Sequence, residues 1–169
     1  MAKDNIALIG FYGQRKNEIG KLLAEKLSME FCDTTELIEY EYAPIEELYK
    51  LFGEIGYRKY EKVIVKQVCG YQNAVIAVGA PTLSIGRNAE LLQDSAVTIY
   101  LIDKTKTLFE VAKGKHQNFI KKPTYKAFYD EFKSLKPIYV TSDISIRTDN
   151  LSDAQIVDKI IAKVLEMYL

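Results

Sequence analysis

Charge of either sign is missing as an excess: Lys and Arg number 23, Asp and Glu 23, across 169 residues. No basic tract breaks this balance, so neither an overall field nor a local patch points to nucleic acid as a partner. Cysteine is scarce. Cys32 and Cys69 form no C-x-x-C, and the single histidine, His116, is distant from both in sequence. That scarcity argues against a disulfide scaffold and a zinc centre, and two free thiols suit a reducing cytoplasm. Hydrophobic runs are short, none approaching the ~20 residues that span a bilayer. Met1-Ala2-Lys3-Asp4 passes straight into a strand pattern without a leader-like segment, so a soluble cytoplasmic protein away from membranes is expected. Repeats, low-complexity stretches and linkers are also lacking. Length then favours one domain over 1–169, large enough to bury a core without staples.

What is present begins with Gly10-Phe11-Tyr12-Gly13-Gln14-Arg15-Lys16-Asn17, between the apolar run at 6–9 and a helical pattern over Lys16–Leu27. Strand, glycine-bearing turn with a lysine, then helix is the setting of a phosphate-binding loop. Backbone N–H groups and the helix dipole converge there, and the lysine adds a full positive charge. Against G-x-x-x-x-G-K-[ST], Gly10 and Lys16 match. Arg15 replaces the second glycine, and Asn17 replaces the hydroxyl that helps to hold Mg²⁺.

Along the chain, strands are expected at Asn5–Ile9, 29–32, 74–78, Ala96–Ile102 and 143–147. Helices are expected at Lys16–Leu27, 36–42, 45–52 (ended by Gly53, with Gly56 in a turn), 57–69, 85–93, 105–113, 126–135 (stopped by Pro137) and 151–169. Asp33-Thr34-Thr35-Glu36 has the form of a helix cap. AVIAV at 74–78 is too uniformly apolar to face water, as in a parallel sheet covered on both sides. The alternation argues an α/β three-layer αβα sandwich, whose ligands bind beyond the carboxyl ends of the strands. Gly10, Asp33 and Gly79 each follow a strand and share that rim. The segment over 115–123 is polar and without periodicity, and reads as a mobile surface stretch.

The order of segments resembles shikimate kinase, a family of small P-loop kinases. The residues carrying the resemblance are IALIGFYGQRKNEIGKLLAEKL, FCDTTELIE, FGEIGYRKYE, VIAVGAP and KPIY. It implies a five-stranded parallel sheet of order 2-3-1-4-5 and transfer of the ATP γ-phosphoryl to a hydroxyl of shikimate, with Mg²⁺ and ATP as cofactors and a small-molecule substrate. It assigns Lys16 and Asp33 to catalysis, Gly10, Gly13, Arg15, Lys16 and Asn17 to nucleotide, Arg58 and Gly79 to substrate, and Asn17 and Asp33 to metal. Departures accompany it: Thr35 stands at an acceptor-binding aspartate, Ala80 and Pro81 at two glycines, and Leu135 at a second carboxylate-binding arginine. The lid, which the resemblance places at about 114–124, holds no arginine.

Several of these residues have plainer readings. Asp33 suffices as a helix cap, Arg58 pairs naturally with Glu54 or Glu61 on its own helix, His116 is a lid surface residue, and the tyrosines between Tyr40 and Tyr60 serve packing. Glu18 lies in the first helical turn, where the dipole that favours phosphate favours a carboxylate instead. At ~4 Å and an effective dielectric of about 20, carboxylate–phosphate repulsion is on the order of 4 kcal/mol per unit charge. Arg15 is expected to pair with Glu18 or Asp33 across the loop. A diverged kinase with weak or no shikimate phosphorylation, an active kinase of shikimate or a related hydroxy acid, and a non-catalytic binding protein on the same fold, with a partner protein, all fit the sequence.

Overall fold

Strand β1 (Asn5–Ile9) is buried along its whole length because neighbours and layers enclose it from every side. The computed structural model describes residues 3–115 and 124–169; most of the lid expected at 114–124, His116 included, lies outside the described residues. β1 pairs in parallel with β3 (Ala74–Ala77) on one side and β4 (Ala96–Ile102) on the other. β2 (Glu30–Asp33) and β5 (Ile144–Arg147) complete the edges, so the five-stranded sheet has the expected order β2-β3-β1-β4-β5.

Side chains alternate along β1. Ile6 and Leu8 join a core with Ile19 and Leu23 of α1 (Lys16–Leu27) and Ile156, Val157 and Ile160 of α7 (Asp153–Met167). Ala7 and Ile9 face the other way, onto a core shared by α2 (Thr34–Glu41), α3 (Ile45–Cys69), α4 (Asn88–Ser95), α5 (Thr105–Lys115) and α6 (Tyr125–Tyr139). The period-two pattern of strands thus produces the three layers.

Three local expectations change. The helices expected at 45–52 and 57–69 run on as α3 with a kink at Gly53, whose φ of 67° and ψ of −175° suit glycine; Gly56 lies inside the helix rather than in a turn. Pro137 does not stop α6, which continues to Tyr139. Tyr139 is 1% exposed and its hydroxyl donates to the Ala80 carbonyl, so tertiary contact offsets the N–H lost at the proline. The helix expected at 85–93 begins later. A 3₁₀ turn at Thr82–Ser84 comes first, Gly86 has a φ of 52°, and buried Asn88, the first residue of α4, donates to the Thr82 carbonyl.

Candidate functional site

The turn after β1 is closed by its own lysine. Lys16 Nζ donates to the Gly10 carbonyl at 2.7 Å and to the Val78 carbonyl at 2.8 Å, tying the ends of β1 and β3 to the start of α1. The residue as a whole is half-buried, but its ammonium is enclosed; burial lowers it to about 8, and the Asp33 carboxylate acts in the opposite direction. Gly13 has a φ of 86°, and a Cβ there would lie 2.2 Å from the Leu108 carbonyl oxygen, so only glycine lets the turn pass α5.

Beyond this turn opens a cavity of about 360 Å³, lined by residues from the loop, α1, α2, α3, α5 and the segment after β3. Gly13, Lys16, Asn17, Asp33 and Gly79, all singled out from sequence, reach it together. Gly10 acts through its carbonyl beneath the lysine. Arg15 turns away. Instead of pairing with Glu18 or Asp33, its guanidinium meets Asp153 Oδ2 at 2.7 Å. The reason is placement: Arg15 precedes α1 as its half-exposed cap residue, and α7, packed beside α1, presents an acidic first turn. Gln14 adds a link to the same edge, donating to Thr148 Oγ1 at 3.3 Å.

The other loop substitutions are also engaged. Asn17 Nδ2 donates to Glu36 Oε1 at 3.0 Å, and Glu18 lines the cavity from the first turn of α1. Asp33 Oδ1 accepts the Glu36 N–H at 2.9 Å and so caps α2. Gly79 N–H donates to Thr34 Oγ1 at 3.0 Å, while Thr35 lines the cavity beside it.

The far wall is built on α3. Arg58 donates to Glu61 at 2.7 Å and to Glu54 at 3.0 Å, so the pairing on its own helix is formed. Glu61 is 3% exposed and also accepts from Thr82 Oγ1 at 2.8 Å. Burial pushes its carboxyl up from the usual carboxylate range, with Arg58 and Thr82 pulling it back. Burial opposes the Arg58 charge, but the adjoining Glu61 carboxylate outweighs it and holds the guanidinium above its ordinary value. Tyr49 and Tyr57 stack at 4.5 Å between ring centroids, and both line the cavity with Tyr12. Leu135 is 6% exposed and packed in the core, so that position offers the cavity no charge.

For Mg²⁺ the fit is incomplete. The ion takes oxygen ligands in a regular octahedron. Asp33 keeps Oδ2 beside the oxygen that caps α2, and Asn17, with its amide nitrogen on Glu36, keeps its oxygen, so two of the six positions have a protein ligand to hand. Sequence reasoning passed over Glu39, Tyr12, Tyr49 and Tyr57 as cavity residues. Their signal was the tyrosine spacing around Arg58 and Glu61, which packing alone also explains.

Residues 13–165 match the family model described as shikimate kinase. The shikimate kinase of Persephonella marina is 33% identical over 161 residues, covering 95% of this chain and 98% of the relative. The solved structure of shikimate kinase from Acinetobacter baumannii in complex with shikimate superposes with a TM-score of 0.92 at 25% identity, covering 99% of this chain and 96% of that one. The Aquifex aeolicus enzyme, at 22% identity and a TM-score of 0.88, shares the fold over 98% of each chain.

Proposed function

Because this chain belongs to the shikimate kinase family, we propose that it is a diverged member in which transfer of the ATP γ-phosphoryl to shikimate is weak or absent. The observation that carries the reading is the state of the phosphate loop. Arg15 is paired with Asp153, the Asn17 amide is held by Glu36, and Glu18 stands in the helix turn a phosphate would approach. Among the described residues lining the cavity, Lys16 is the one cation, against Glu18, Asp33, Glu36, Glu39 and Glu61. A triphosphate brings more negative charge into that field. On the acceptor side Arg58 is satisfied by Glu54 and Glu61, and Leu135 replaces the second cation that the resemblance expects.

If the protein does turn over, ATP and Mg²⁺ are its cofactors, Lys16 steadies the transferred charge, and Asp33 with the Asn17 amide oxygen serves the metal. A kinase of a different hydroxylated acceptor is the second reading, favoured by Lys16 remaining in place in the loop. The two free thiols suit the cytoplasm in either case.

Calorimetry with Mg-ATP, followed by an assay of shikimate-dependent ADP release, separates these readings. The diverged reading expects affinity no tighter than about millimolar, near −4 kcal/mol, and no ADP release. Micromolar Mg-ATP binding without transfer to shikimate favours the second reading. Binding together with transfer overturns the first.

A further inference from the structure

The acceptor wall of the cavity has a chemistry of its own. Tyr57 is 5% exposed, yet it lines the cavity, and its hydroxyl makes no hydrogen bond among the described residues. The ring is buried while its hydroxyl, with no partner among the described residues, opens on the cavity, where a ligand can reach it. Tyr12 and Tyr49 line the same space, Tyr49 stacked on Tyr57, so the wall is aromatic. Their environment is acidic. Glu39 reaches the cavity from α2 in no ion pair among the described residues, Glu36 and Asp33 extend the acidic lining towards the loop, and Glu61 reaches it from α3 with its own charge met by Arg58. Arg58 lies next to this wall, but its charge is answered by both Glu54 and Glu61.

Aromatic faces attract cations and carboxylates attract them more strongly, while an anionic ligand meets repulsion from both. We propose that this end of the cavity binds a small hydroxylated primary amine, its ammonium taken by the carboxylate and tyrosine wall and a hydroxyl by Tyr57. The inference rests on the reading above only in taking this cavity as the acceptor site. It differs from a weakened version of the family's site, because it reverses the charge of the preferred ligand.

The test is an amide NMR titration of the intact chain without nucleotide. Three probes share a ring and a hydroxyl: 4-aminocyclohexanol, 4-hydroxycyclohexanecarboxylate and 1,4-cyclohexanediol. The amine is expected to shift α2 and α3 resonances saturably and to bind at least tenfold more tightly than either other probe. Tyr57→Phe and Glu39→Gln, at a ring that is kept and at an exposed side chain, should each weaken the amine at least threefold. Equal or tighter binding of the carboxylate or the diol, no saturable shift with the amine, or unchanged affinity in both variants overturns the proposal. Since no ATP is present, failure here leaves the phosphate-loop reading standing, and micromolar Mg-ATP binding would count against that reading without touching this result.

Discussion

Glu61 holds a carboxylate almost out of reach of water, and two neighbours make that tolerable: the Arg58 guanidinium at 2.7 Å and the Thr82 hydroxyl at 2.8 Å. Removing one partner of a buried pair leaves an uncompensated charge, at a cost of about 3–5 kcal/mol. Arg58→Met should therefore lower the unfolding free energy in urea by that amount. The bridge between Arg15 and Asp153 is of similar length but half-exposed on the arginine side, so Arg15→Gln should cost about 1 kcal/mol or less. Equal losses in the two variants would contradict this account of the α3 wall. Lys16 makes a pH prediction. Its folded value of about 8 lies below the 10.5 of a free lysine, so the folded state binds fewer protons than the unfolded state between those two values. Stability from this group is lowest below pH 8 and recovers as pH rises towards 10.5. Wild type should gain on Lys16→Met across that window by roughly 1–3 kcal/mol in urea melts, the variant cancelling the opposing titration of buried tyrosines and cysteines. A flat difference would mean that the ammonium is not enclosed.

At the level of elements, Gly53 decides how α3 bends. Its φ of 67° with ψ of −175° is a conformation that side chains avoid, and a Cβ there would meet nothing within 4 Å. Gly53→Ala consequently carries a backbone cost alone, of about 1–3 kcal/mol in a thermal or urea melt. No change would show that the kink is dispensable. This glycine was legible in sequence as a helix end, but not as the hinge of one continuing helix, because composition does not reveal which segments share an axis. The strands were read to within one or two residues, since uniformly apolar runs such as AVIAV have few alternatives once a sheet is covered on both faces. Pro137 misled because the contact that keeps α6 intact, Tyr139 to Ala80, joins residues far apart in the chain. The loop glycines, Lys16 and Asp33 could be found from local spacing. The partner of Arg15 could not, since Asp153 approaches only through the packing of α1 on α7. The cavity tyrosines were visible as residues but not as a wall.

For the molecule as a whole, ligand binding and unfolding are linked: anything that binds the folded chain raises its melting temperature. With a dissociation constant near millimolar, about 1 mM Mg-ATP adds roughly 0.4 kcal/mol, which in a chain of this size is a rise of about 2 °C or less. A micromolar site would add about 4 kcal/mol and a rise of roughly 8 °C or more. Scanning calorimetry with and without the nucleotide distinguishes the two, and the larger shift would mean that the loop accepts phosphate despite Glu18.

The sheet order has a consequence for how the chain is made. β1 is synthesised first but lies in the middle, with Ile6 beside Val75 on one side and Val97 on the other. On the ribosome it must wait, apolar and unpaired, until β3 and then β4 have left the exit tunnel. A strand of that kind is open to premature self-association for as long as it waits, and pairing at such sequence separation is slow. The burden therefore falls on nascent-chain handling rather than on the finished molecule: translation pauses before β4 should lower the soluble yield, while equal pauses after β4 should matter far less.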